Sequence, residues 1–204
     1  MEMLRLFIAI NLPDDLLEAL TATQRQLQRK LTAYPLRWTR PEGIHLTLKF
    51  LGDVDPARIP ALTEALNRAA AKHASFILPV GGLGMFPNAR RPNVLWVGVH
   101  DGDHHLRHLA ADVDKAMARL GWPREKRSFN GHLTLARVKK QAGNRERRML
   151  GETVDGLVGY ARLGALPVQT IHIMRSQLRP NGAVYTAVQA VPLGGRGAAK
   201  ASET

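Results

Sequence analysis

The sequence predicts an α/β (α+β) protein built as two similar lobes across a shared cleft. Three observations carry this. Strand-like and helix-like stretches alternate along the chain, the pattern of a mixed fold. The order strand, helix, strand runs through twice. The second strand of each run holds the same four residues, His45-Leu46-Thr47-Leu48 and His132-Leu133-Thr134-Leu135. Such a duplicated layout, unlike a solenoid repeat, suggests two lobes related by approximate two-fold symmetry.

Each element has a local reason. Residues 4–10, short and β-branched, read as a strand stopped by Asn11-Leu12-Pro13. Pro13, Asp14 and Asp15 then open a helix, with acids at the positive end of its dipole. Leu16, Leu20, Leu27 and Leu31 keep its apolar face, and Arg29 and Lys30 suit its last turn. Residues 44–51 alternate as a strand that ends at Gly52-Asp53, and residues 56–71 place Ile59, Leu62 and Leu66 on one helix face. Phe76 to Val80 is a strand, with Gly81-Gly82 opening a turn.

The pattern restarts with Val94-Leu95-Trp96-Val97-Gly98-Val99 as a strand and Asp101-Gly102-Asp103 as turn and cap. Leu106, Leu109, Val113, Met117 and Leu120 make a helix that stops at Gly121, and residues 132–138 form the next strand. A short polar helix covers residues 144–154. Strands over about 168–178 and 183–191 close the chain around Pro180-Asn181-Gly182. Residues 1–193 are therefore one bilobal domain. The small, polar stretch 194–204 is expected to be a disordered tail.

Composition narrows the function. The 204 residues are 45% hydrophobic, enough for a core, and no apolar run approaches a membrane span. The first residues lack the basic and apolar regions of an export signal, so a cytoplasmic location is expected. With no cysteine there is no disulfide, thiolate metal site or cysteine nucleophile. Lys and Arg number 29 against 17 Asp and Glu, a net charge of +12 that favours a polyanionic partner. The charge is uneven. Residues 1–60 carry a balance of +1, whereas residues 122–150 carry nine basic residues against Glu125 and Glu146. More than half the excess lies around the second His-Leu-Thr-Leu.

On a strand, residues two apart face the same way. His45 and Thr47 thus share one face while Leu46 and Leu48 point to the core, and His132 and Thr134 do the same above Leu133 and Leu135. Brought together, two imidazoles and two hydroxyls enclose a space suited to a phosphate. The hydroxyls can donate to its non-bridging oxygens and an imidazolium to a leaving oxygen. A single copy reads as a polar-faced strand. Two copies at matching places supply the two proton-transfer groups of acid–base catalysis.

The order of motifs resembles the bacterial and archaeal RNA 2′,3′-cyclic phosphodiesterases, also called 2′-5′ RNA ligases, of the two-histidine phosphoesterase superfamily. The resemblance runs to about residue 192 through Arg5-Leu6-Phe7-Ile8-Ala9-Ile10, then Trp38 by way of Pro41-Glu42 into His45 to Gly52, and Val94 to Val99. It continues with Arg127 to Arg137, Ser176-Gln177-Leu178 and Gly182 to Tyr185. One departure is Gly131, where the family usually has proline. The resemblance implies a bilobal fold with an antiparallel sheet in each lobe. It also implies metal-independent opening of an RNA 2′,3′-cyclic phosphate to a 2′-phosphomonoester, without a cofactor. By the same analogy His45 is the proton donor and His132 the proton acceptor, with Thr47 and Thr134 holding the phosphoryl oxygens.

Phe7 and Arg137 are candidates for stacking on the terminal base, and the basic stretch for tracking RNA phosphates. Arg137 has opposite strand parity to His132, so it reaches the site only if the strand twists or ends. Trp38 and Tyr185 read as packing residues. Two other classes remain open: reversible, ATP-independent 2′-5′ ligation, and a non-catalytic module that grips RNA ends. His100, His104, His105 and His108 invite a metal, but no carboxylate cluster completes a site. Gly81-Gly82-Leu83-Gly84 lacks the Lys-Ser/Thr of a phosphate loop. RNA is the expected partner, with no obligate protein partner and a monomer as the working form.

Overall fold

The computed structural model describes residues 2–157, 160, 162–179 and 182–194. Within them the chain forms β1 (Leu4–Ile10), α1 (Asp14–Lys30), β2 (Leu36–Trp38), β3 (Leu46–Val54), α2 (Ile59–Ala70), β4 (Phe76–Phe86) and β5 (Val94–Val99). It continues with α3 (His105–Arg119), β6 (His132–Val138), α4 (Asn144–Asp155), β7 (Gly164–Val168), β8 (Thr170–Arg179) and β9 (Gly182–Pro192). The strands are antiparallel in the order β7-β4-β5-β6-β3-β1-β8-β9, with β2 on β6. One lobe holds β7-β4-β5-β6 and the other β3-β1-β8-β9. Their sheets meet at a single pairing, Leu46 with Leu133.

One face of the sheet and the helices share a contiguous core that includes Ile8, Ile10, Leu16, Leu62, Leu109 and Leu133. Phe7, Ala9 and Met174 lie on the other face as a small separate cluster with Tyr185 against it. The helix starts follow local chemistry. Asp101 caps α3 through Leu106 N–H (3.1 Å) and Arg107 N–H (2.9 Å). Asp55 caps the 3-10 turn Pro56–Arg58 that leads into α2.

Several boundaries differ from the sequence reading. Gly81-Gly82 is not a turn. β4 runs through it, with Gly82 at φ +75° unpaired between Gly81↔Gly98 and Leu83↔Val97, so the glycine makes a bulge. Gly52, at φ +73°, likewise lies inside β3 rather than ending it. The strand read over about 168–178 is β8, on β1, while β7, which the sequence reading does not include, ends at Val168 and pairs with β4 in the other lobe. β2, only three residues long, shows no readable alternation. Gly194, placed in the expected tail, donates its N–H to Ala70 O at 3.1 Å, and the remaining tail residues and Pro180-Asn181 lie outside the described residues.

Two further bulges shape the cleft. In β6, Thr134 pairs with Trp96 but Ala136 with Leu95, which leaves Leu135 as an extra residue. In β3, Thr47 pairs with Ala9 but Lys49 with Ile8, leaving Leu48 extra. The bulges fall at the same place in both motifs and reverse strand parity beyond it. Residues 49 and 136 therefore turn to the core, and Phe50 and Arg137 return to the face of the histidines. The bulged Leu135 carbonyl is satisfied by Thr39 N–H (2.8 Å) and by the buried Gln24 side chain (3.0 Å), whose amide also reaches Thr39 O (2.9 Å). Replacing Gln24 by Leu takes the amide donor from Thr39 O and leaves Leu135 O with Thr39 N–H alone, with an expected loss of about 1–3 kcal/mol. Urea unfolding of Gln24→Leu measures it, and an unchanged midpoint would contradict this role.

Candidate active site

The Leu46–Leu133 pairing sets the site. In antiparallel register it puts His45 level with Thr134 and Thr47 level with His132. Each imidazole thus stands across from the other motif's hydroxyl, and the two histidines are diagonal neighbours, about 7–8 Å apart at the backbone. All four side chains are half-buried.

Aromatic rings hold both histidines. Phe7 lies 4.7 Å from the His45 ring and Tyr185 meets it edge-on at 4.9 Å. Phe86 meets His132 edge-on at 4.8 Å, backed by Trp96, 5.0 Å from Phe86 and 6.3 Å from the imidazole. The indole lies on Gly84, where any side chain would occupy the space of the ring. These rings exclude water from the imidazoles and so disfavour their charged forms. Burial pushes His45 down to about 4 against a raising backbone hydrogen bond with Gly43. Burial also lowers His132, opposed by its bond to Asn130 O and reinforced by the charge of Arg137. His132 Nδ1 lies 2.9 Å from Asn130 O and donates to it, leaving Nε2 of the neutral ring as a proton acceptor.

A buried ion cluster links the elements that carry the motifs. Lys49, 3% exposed, donates to Asp114 Oδ1 (2.7 Å), Pro123 O (2.7 Å) and Glu125 Oε1 (3.0 Å). Burial works against the Asp114 carboxylate, but bonds from Lys49, Arg124 and Glu125 N–H hold its pKa below the ordinary value. The cluster joins β3 to α3 and to the loop that delivers His132. Gly131 packs in that loop where a Cβ would come 2.8 Å from Leu106 Cδ2, so a larger residue there would shift the leucine side chain.

Of the recognition residues, Phe7 is 2% exposed, covered beside His45 rather than open to a base. Arg137 is exposed and, through the Leu135 bulge, faces the cleft. Trp38 packs on the core, whereas Tyr185 packs on His45 itself. Three residues of the basic stretch have other work: Arg124 pairs with Asp114, Arg148 with Glu152, and Arg147 binds Pro92 O, Lys139 O and Asn93 Oδ1. Lys126, Arg127, Arg137, Lys139, Lys140 and Arg145 remain exposed.

The four clustered histidines do not converge on one point, although the His104 and His108 rings lie 6.5 Å apart. His100 Nε2 lies 3.1 Å from Gly81 O, His105 packs on Phe76, and His104 has a left-handed backbone. No group of three or more His, Asp or Glu among the described residues is arranged to hold a metal. Sequence reasoning missed Phe50, Phe86, Trp96 and Arg37 as cleft residues. Phe50 could have been found, since it follows His45 by the same five residues as Arg137 follows His132.

Two imidazoles and two hydroxyls brought to one face by a single strand pairing are an arrangement suited to a phosphoesterase with paired histidines. Comparison with known proteins agrees. The model of the LigT-like phosphoesterases matches twice, over residues 10–96 and 97–185. An RNA 2′,3′-cyclic phosphodiesterase of Aquifex aeolicus is 30% identical over 96% of this chain and 100% of its own length. A crystal structure of a Thermus thermophilus protein superposes with a TM-score of 0.76 at 28% identity, over 94% of this chain and 99% of that one. E. coli LigT complexed with 3′-AMP shares the fold, with a TM-score of 0.72 at 24% identity over 94% of this chain and 99% of its own. The chain belongs to the LigT-like phosphoesterase family.

The buried histidines make stability depend on pH. A histidine whose folded pKa lies below its unfolded value binds fewer protons folded than unfolded, so stability is lost as pH falls through that interval. For His45 the window runs from the ordinary 6.5 down to about 4. Denaturant unfolding of wild type should weaken across it, and His45→Gln should flatten the dependence. An equally steep profile in the variant would contradict this assignment.

Proposed function

We propose that this chain hydrolyses the 2′,3′-cyclic phosphate ends of RNA to 2′-phosphomonoesters, without a metal. The diagonal pair of imidazoles, each across from the other motif's threonine, carries the reading. In-line opening of the ring needs a base on one side of phosphorus and an acid on the other. A water gives its proton to His132 Nε2 as its oxygen bonds to phosphorus. The bond from phosphorus to O3′ breaks, and O3′ takes a proton from His45. Thr47 and Thr134 donate to the non-bridging oxygens, where negative charge builds up. Asn130 O supports His132 as acceptor by fixing its Nδ1–H. The names of the curated relatives, RNA 2′,3′-cyclic phosphodiesterases, support the substrate class.

The low pKa of His45 fits the role of donor once substrate is bound. The phosphodiester is an anion, and its charge beside the ring raises the pKa that burial lowers. Both motifs come from one chain, so a monomer suffices, and RNA end processing in the cytoplasm is the setting proposed. No described helix is long and apolar enough to cross a membrane.

Phosphorus NMR of a cyclic mononucleotide in EDTA should show the 2′-phosphate as product, with His45→Ala and His132→Ala each slower by at least about a hundredfold. Unchanged turnover in either variant, or activity that needs added metal, would sink the mechanism. Binding without turnover in wild type would favour an RNA-end-binding module. The pH optimum of kcat/KM should lie below 6.5, because both histidines are lowered in the free enzyme, and that of kcat should lie higher. Coincident optima would show that substrate does not raise the donor.

A further inference from the structure

We propose that Arg37 and Arg137 form a two-guanidinium clamp for the RNA phosphate one nucleotide from the cyclic end; the inference rests on the RNA-end reading above. The two residues are direct partners on β2 and β6. Their orientation follows from the ladder. Trp96 packs beside His132 on the cleft face, and Val94, two residues along β5, shares that face. Val94 pairs with Arg137, and Arg137 with Arg37. The intervening Leu36, Leu95 and Ala136 are buried on the core side, whereas both arginines are exposed.

Like charges placed directly opposite on neighbouring strands oppose folding. Here no carboxylate relieves them, since neither arginine takes part in an ion pair among the described residues. An anion between two planar guanidinium forks resolves the repulsion and can be held by paired hydrogen bonds. Position selects the anion. The pair stands one like-facing step along the sheet, about 6.6 Å, from the Trp96–Thr134 row. The charge of Arg137 acts on His132, so the clamp borders the reacting phosphate without occupying its place. A neighbouring phosphate on the same RNA strand meets these requirements, and a cyclic mononucleotide does not carry one. Sequence alone makes Arg137 a base-stacking candidate and gives Arg37 no role. The ladder makes them one unit for the backbone.

Equilibrium binding separates the terms. The probes are a trinucleotide ending in 2′-phosphate and the same trinucleotide with a neutral methylphosphonate at its last internucleotide linkage. Wild type should bind the first about tenfold more tightly, and the salt dependence of its binding should be steeper by about one unit of slope. In Arg37→Gln the difference between the two probes should collapse, with Arg37→Lys restoring part of it. A full methylphosphonate penalty in Arg37→Gln, or an equal loss for both probes, would overturn the clamp. Hydrolysis of a cyclic mononucleotide by wild type, followed in parallel, reports on the reaction itself. Its failure with an intact binding difference would remove the proposed activity and leave the clamp.

Discussion

Among the described residues Leu46 and Leu133 make the one strand pairing that joins the two sheets, and the rest of the site is arranged around it. Because both leucines sit inside the repeated tetrapeptide, one register decision places all four polar side chains. A slip by one residue would turn the histidines and threonines into the core. The surroundings hold that decision from several directions. The leucines are packed in the shared core, and the Lys49–Asp114 cluster ties β3 to α3 and to the loop before His132. A charged side chain buried this deeply opposes folding unless it is fully bonded, and Lys49 has three acceptors.

The paired bulges at Leu48 and Leu135 have opposite outcomes in the two motifs. In the first, parity reversal buries Lys49 and exposes the apolar Phe50, 66% accessible. In the second it buries Ala136 and exposes the cationic Arg137. One backbone device thus gives the cleft an apolar rim on one side and a cationic rim on the other. The dry aromatic walls behind the histidines complete a site whose neutral interior contrasts with its charged approach.

The strands and helices were legible where local periodicity determines them: β1, β5 and β6 match the sequence reading residue for residue. The histidine–threonine constellation was legible because its repeat is literal. What stayed hidden depends on pairing between distant strands. Arg137 had the wrong parity on paper because a bulge is decided by the partner ladder and not by the bulged residue. Gly82 resembled a turn because glycine serves turns and bulges through the same positive φ. Arg37 lies on a strand too short to show alternation, and its partner is a hundred residues away. The basic stretch was visible as composition, but only the structure separates Arg124, Arg147 and Arg148, which have partners within the protein, from those whose side chains have none among the described residues.

The crossing at Gln169 makes the two lobes unequal in time as well as in space. Apart from the short β2 on β6, the strands of the lobe with the second motif come from one stretch, β4 through β7. The lobe with the first motif begins at β1 yet is flanked by β8 and β9 from the far end of the chain. During synthesis, the first histidine is therefore made before the strands that cover the sheet edge beside β1. The half that starts first is thus closed by strands made after the other half, and the aromatic wall around His45 is complete only once β9 brings Tyr185 to it.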